Sequence, residues 1–223
     1  MNKKRPSMYI LGLTGSMGCG KSSVAQLLVA RGGYLLDSDQ MAKETLTMGS
    51  PGYQQVVQRF GHEILGPSRD VDRGRLGAAL QEDPNAWSDL EAIIHPHVRR
   101  LQAETILRHS QENLAAVVIL DEPLLFETGG DALCDLVLVV ACGDRQLDRL
   151  RQRGGSVVTE VQKAAMARQM PEEEKCRRAD RVIDNRGSLT DTTRQVDEFW
   201  AWLGCLATRA VEQAWPVKWA RFM

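Results

Sequence analysis

Residues 15–22, Gly-Ser-Met-Gly-Cys-Gly-Lys-Ser, carry the sharpest chemical signal in the chain. Gly15, four residues, then Gly20, Lys21 and Ser22 match the pattern G-x-x-x-x-G-K-[ST]. A polyphosphate needs several donors on a surface able to curl around it. Glycines allow that curl without Cβ collisions, so successive amides can face one point. The positive N-terminal end of a following helix adds to the attraction. In this chemistry Lys21 reaches the β- and γ-phosphates and the Ser22 hydroxyl completes a Mg²⁺ shell. The plainer alternative is a glycine-rich turn that happens to end in Lys-Ser. The flanks argue against it, because the pattern acts only between a strand and a helix. Residues 8–14 form a short apolar run, and Val24, Leu27 and Leu28 fall at helical spacing over 21–30, closed by Arg31-Gly32-Gly33.

Acids follow two further apolar runs. Tyr34-Leu35-Leu36 reads as a short strand and leads into Asp37-Ser38-Asp39. Ligands gather at the carboxyl ends of parallel strands, where a carboxylate can accept a hydroxyl proton during phosphoryl transfer. Either aspartate also suits the cap of a helix with its body at 40–47, and one can cap while the other catalyses. Residues 115–120 read as a buried parallel strand that ends in Asp121-Glu122-Pro123. Asp121 would emerge beside the first strand's loop, the place of a Mg²⁺-associated carboxylate; a helix cap or a surface acid is the weaker reading. Arg145, Arg149 and Arg153 recur four apart. They fit a cover that binds triphosphate, or a solvated basic helix face. His95-Pro96-His97 invites a metal reading, but no third ligand stands at recognisable spacing. Substrate contact or a helix-breaking turn remain. Cys19 is either alkylation-sensitive or a small side chain that fits the loop.

The positioning elements follow from pattern. Helices are expected at 53–60, 73–81, 86–112 (broken or kinked at Pro96), 159–170 and 191–206, with a loop at 61–72 and a solvated acidic helix start at 171–174. Further strands are expected at 136–141 and 181–184. About seventy residues separate the second strand from the third and read as helical, too many for a simple crossover, so they form an inserted subdomain. The tail with Trp215 and Trp219 packs as a helix or binds a partner. The whole, 223 residues with 43% apolar content, is one α/β domain with sizeable insertions. A net charge of −1 argues against a dedicated nucleic-acid binder. Five scattered cysteines without a C-x-x-C pair argue for a reducing cytosol over a disulfide framework. No run approaches a membrane span, and the basic start reads as a disordered leader, not a signal peptide.

Taken in order, the motifs resemble the dephospho-coenzyme A kinase family over about 8–200. The resemblance rests on the 12–23 segment, Asp37-Ser-Asp39, Gly49-Ser-Pro51, Phe60-Gly61, Asp72-Arg73 with Leu76, Leu90-Glu91 with His95-Pro96, and Pro123-Leu-Leu-Phe-Glu127. It continues through Gln146, Arg149 and Arg153, Gln169, and 179–188. It implies a three-layer α/β fold of the P-loop NTPase type: a parallel sheet of about five strands flanked by helices. A nucleotide-binding core would take 8–37, 112–144 and 179–206. A helical acceptor-binding insertion would take 38–111, a lid 145–178, and a tail 207–223. It further implies ATP with Mg²⁺ as donor and transfer of the γ-phosphoryl group to the ribose 3′-hydroxyl of dephospho-coenzyme A. On that resemblance Asp39 is the base, and Asp37, His95 and Leu124 join it at the acceptor. Gly15, Ser16, Met17, Gly18, Cys19, Gly20, Lys21, Ser22 and Ser23 hold the nucleotide, with Asn185 by the adenine. Asp121 assists the metal through water beside Ser22, and Arg149 is the lid arginine. The enzyme would be cytoplasmic, a monomer or weak homo-oligomer, without nucleic-acid or membrane partners. Ser16, Met17, Cys19 and Ser23 depart from the family's usual Gly, Ile, Ser and Thr, and Glu122 stands where an apolar residue is usual.

Overall fold

Short apolar runs in the sequence become strands, buried almost throughout in the three central ones and more exposed in the two at the sheet's edges. They are β1 (Tyr9–Gly15), β2 (Tyr34–Asp37), β3 (Val117–Asp121), β4 (Leu136–Ala141) and β5 (Arg181–Asp184). These assignments come from a computed structural model that describes residues 8–112, 116–154, 163, 166–207 and 218–222. The strands form one parallel sheet in the order β2-β3-β1-β4-β5. All seven residues of β1, the central strand, are buried. Its register sets Leu13 beside Asp121 on one side and Leu138 on the other. The loop leaving β1 therefore starts mid-edge at the carboxyl end of the sheet, with Asp121 one strand away.

Helices α1 (Lys21–Val29) and α8 (Leu189–Ala207) share one core with the sheet. Val24, Ala25 and Leu28 meet Val196, Phe199 and Leu203 over Leu11, Leu13, Leu138 and Val140. The intervening helices are α2 (Ser38–Thr45), α3 (Pro51–Phe60), α4 (Arg73–Glu82), α5 (Ala86–Glu112), α6 (Arg145–Gly154) and α7 (Glu172–Arg178). The chain divides into two compact units. One holds the sheet and comprises the described residues of 8–36 and 108–221; the other comprises 37–107 with Phe222. The second unit has its own core of Val56, Ile64, Leu65, Leu76, Leu80, Ala86 and Leu90. Its helices begin at strong caps: Asp37, Ser50 and Asp72 accept from the amides of Gln40, Tyr53 and Arg75.

Several expectations need correction. The helix expected to be broken or kinked at Pro96 is not broken there, running from Ala86 to Glu112. Proline removes one backbone bond, but Leu90, Val98, Gln102, Ala103 and Ile106 on either side are buried and hold the helix together. Helix α2 starts at Ser38, not 40, because Asp37 caps it. The 61–72 loop contains a short 3₁₀ turn, His62–Ile64, and a bridge between Leu65 and Val71. The tail packs: Trp219 is fully buried, and its indole N–H donates to the Leu133 carbonyl at 3.0 Å. Trp215, residues 1–7 and half of the helix expected at 159–170 lie outside the described residues. Among the described residues, no helix is long and apolar enough to cross a membrane.

Candidate active site

Between β1 and α1 the backbone turns on glycines. Gly18 and Gly20 hold φ of 82° and 90°, where a side chain is strained. A Cβ on Gly20 would also collide with the Asn185 side-chain nitrogen, and one on Gly15 would lie 2.5 Å from the Val140 carbonyl oxygen. Ser16 is not in the left-handed region; among the described residues Arg69 is the one non-glycine residue at positive φ. Its Cβ therefore costs the loop no strain, so this departure from the usual glycine is compatible with the turn. Cys19 is buried against Gly15. Burial pushes its thiol up to about 11, against the smaller opposing effect of a bond from the Lys21 amide. It is a protonated, small filler at neutral pH, and not the alkylation-sensitive thiol that its position allowed.

The outward side of the loop is gripped by side chains from distant segments. Gln169 Oε1 accepts from the Met17 amide at 2.8 Å, and Gln146 Nε2 donates to the Met17 carbonyl at 2.9 Å. The Cys19 carbonyl accepts from Arg149 Nη1 at 2.8 Å and from Asn185 Nδ2 at 2.7 Å. Asn185 is itself held by Thr192 Oγ1 at 2.7 Å, and its carbonyl accepts from Arg149 Nη2 at 2.6 Å. Among the described residues, the amides of Gly18, Gly20 and Ser22 donate to no protein acceptor. Donors free on one side of a loop braced on the other are what an anion cradle requires.

Charge is placed at the mouth of this cradle. Lys21 forms an ion pair with Asp121, with side-chain exposures of 15% and 12%. Ser22 stands exposed on the first turn of α1. A hydroxyl and a carboxylate are hard oxygen donors suited to Mg²⁺, which binds proteins through few ligands and fills its shell with phosphate oxygens and water. No cluster of three or more His, Cys, Asp or Glu able to hold a metal occurs among the described residues. His97 instead lies 3.2 Å from Gln55 Oε1. Glu122, buried, accepts from Thr128 Oγ1 at 2.8 Å, so its charge is engaged within its own turn.

In the other unit the two candidate aspartates divide. Asp37 Oδ1 accepts from the Gln40 amide at 2.9 Å and caps α2. Asp39 is exposed on the first turn and takes no hydrogen bond or ion pair among the described residues. His95 is half-buried on α5, and Leu124 is half-buried beyond β3 in the sheet unit. On α6, Arg145 is exposed while Arg149 turns to the loop; the Arg153 side chain lies outside the described residues.

Some site residues escape sequence reasoning. Gln146 and Gln169 enter the sequence reading only as marks of the resemblance, without a role, because an amide gives no periodic or charge signal. The acidic start of α7 is only partly solvated: Glu172 accepts from the amides of Cys142 and Gly143 at 2.9 and 2.8 Å, fixing the exit of β4. Lys175, the next residue after that acidic start, is fully buried.

The family model described as dephospho-CoA kinase matches residues 9–191. The dephospho-CoA kinase of Streptomyces avermitilis is 41% identical over 195 residues, covering 87% of this chain and 93% of that one. The Anaeromyxobacter dehalogenans dephospho-CoA kinase is 38% identical, covering 95% of this chain and all of its own length. Among solved structures, TT1252 from Thermus thermophilus superposes with a TM-score of 0.75 at 35% identity, over 88% of this chain and 98% of that one. Dephospho-CoA kinase from Campylobacter jejuni gives 0.65 at 26%, over 87% and 96%. With a cradle built for phosphate and a family match that spans the sheet and the helical unit, the chain belongs to the dephospho-CoA kinase family.

Proposed function

We propose that this kinase transfers the γ-phosphoryl group of ATP to the ribose 3′-hydroxyl of dephospho-coenzyme A, giving coenzyme A and ADP. The observation that carries the reading is the cradle: free amides of Gly18, Gly20 and Ser22 beside Lys21 and Asp121, in a chain of this family. The loop amides and Lys21 bind the phosphate chain, and Lys21 exchanges its bond to Asp121 for one to phosphate. Asp39, exposed and uncommitted, accepts the hydroxyl proton. The acceptor oxygen bonds to the γ-phosphorus, the bond to the β–γ bridging oxygen breaks, and ADP leaves with that electron pair. Arg149 offsets the developing negative charge. Ser22, with Asp121 through water, would hold Mg²⁺, which supplies charge neutralisation on the phosphates when bound. His95, Leu124 and Asp37 contact the acceptor, and Asn185 and its turn lie by the adenine. We place the enzyme in the cytoplasm as a monomer or weak homo-oligomer; five free cysteines support a reducing compartment.

The test is an ATP-dependent assay with dephospho-coenzyme A, adenosine and AMP as parallel acceptors. Phosphorylation of dephospho-coenzyme A at least about tenfold faster than the others is expected, since a large acceptor contributes binding energy that small ones lack. Preferred transfer to adenosine or AMP would replace this reading with that of another small-molecule kinase.

A further inference from the structure

Lys175 is a buried cation that holds both ends of one distant segment. It is fully buried, and its ammonium donates to the Pro123 carbonyl at 2.9 Å and pairs with Glu127 Oε1 at 3.0 Å. Pro123 and Glu127 are the two ends of the Pro-Leu-Leu-Phe-Glu segment that carries Leu124. The same Pro123 carbonyl accepts from Thr14 Oγ1 at 3.2 Å, on the strand that enters the phosphate loop. Glu127 Oε1 also accepts from the Met170 amide at 2.6 Å. The residue before Met170 is Gln169, whose Oε1 holds the Met17 amide of the phosphate loop at 2.8 Å.

Taking a charge out of water is costly unless it is paired and bonded, so a buried Lys–Glu pair is weak evidence for stability. This pair instead stands where one carboxylate fixes two things. Through Lys175 it sets both ends of the 123–127 segment. Through the Met170 amide it sets Gln169, and so the phosphate loop.

We propose that Glu127 and Lys175 are positioning residues for phosphoryl transfer. Glu127 acts on the nucleotide side through Gln169, and on the acceptor side through Lys175 and the segment bearing Leu124. This rests on the kinase reading above.

The test measures KM for ATP, KM for dephospho-coenzyme A and melting temperature in Glu127→Gln, Gln169→Ala and the double variant, beside the parent. Gln169→Ala should raise the ATP KM about threefold to tenfold, the size of one lost hydrogen bond, and leave the acceptor KM near the parent's. Glu127→Gln should raise both KM values by a similar factor. In the double variant the ATP KM should match that of Gln169→Ala alone, because the proposed relay to the Met17 amide runs through Gln169, while the acceptor KM stays raised. Parental KM values with only a lowered melting temperature or active fraction would make the pair merely structural and overturn the proposal. Independent, multiplying effects on the ATP KM would overturn the relay through Gln169. If Glu127→Gln does not fold, Glu127→Asp keeps the charge opposite Lys175, withdraws it by one methylene and is scored the same way. A parent that does not phosphorylate dephospho-coenzyme A would fail the kinase reading itself, a result distinct from any of these.

Discussion

At the residue scale, conformation and chemistry are joined most tightly at Gly20. It is held at φ 90°, and a side chain there would strike the Asn185 amide that braces the loop. Gly20→Ala meets both a backbone penalty of roughly 1–2 kcal/mol and that collision, so ATP affinity should fall by about tenfold or more. Titration of a fluorescent ATP analogue checks this; parental affinity would mean that the loop relaxes at no cost. Ser16 illustrates the opposite case, since a Cβ at an ordinary φ strains nothing. The sequence shows both positions but not which of them needs glycine, because the motif's spacing carries no φ values. The division between Asp37 and Asp39 is similar. Either could cap, and only the backbone course into α2 shows that Asp37 does.

At the scale of elements, the loop's shape is a product of its neighbours. Helix α6, Gln169 and the turn after β5 supply Gln146, Arg149 and Asn185 to backbone atoms of Met17 and Cys19. Arg149 thus has a bracing role in addition to the proposed one at the transferred phosphoryl group. If the second role dominates, Arg149→Ala lowers kcat by about a hundredfold, the order seen when one preorganised charge-stabilising donor is removed, and raises the ATP KM far less. Single-turnover measurement separates the two; an unchanged chemical step with a raised KM would reduce Arg149 to a brace. Strands β1, β4 and β5 were legible from their apolar runs, and Asp121 from its place after one. The buried Lys175 and the clamp by Glu172 were not. Their partners lie tens of residues away, and a run of Glu and Lys at helix spacing looks the same whether solvated or buried. The break allowed at Pro96 is a related case: a missing backbone bond is visible in sequence, while the packing that keeps the helix continuous is not.

At the scale of the molecule, the sheet unit gains a pH dependence from His109 at the end of α5. The ring is buried, with centroid 3.7 Å from that of Tyr34, and its Nδ1 has no hydrogen-bond partner among the described residues. Burial first, and the charge of Arg108 second, hold its pKa below the ordinary value. The folded protein then takes up this proton less readily than the unfolded chain. The resulting stability is complete above about pH 6.5 and is lost as pH falls through the depressed folded value. His109→Gln should flatten the fall in melting temperature between about pH 7 and pH 5, below the histidine's ordinary value. A fall as steep as the parent's would assign it to other groups. The helical residues between β2 and β3 are too many for one crossover, and most of them lie in the second unit with its own core.

The central claim is that this cradle transfers the γ-phosphoryl group to a ribose 3′-hydroxyl with Asp39 as base. Single-turnover transfer from ATP to dephospho-coenzyme A, with the phosphate position assigned by ³¹P NMR, tests it most directly in parent and Asp39→Asn. A 3′-phosphate is expected in the parent, and a rate ~100- to 10,000-fold lower in Asp39→Asn with ATP binding retained. Phosphate at another position, or transfer by Asp39→Asn at the parental rate, would contradict it.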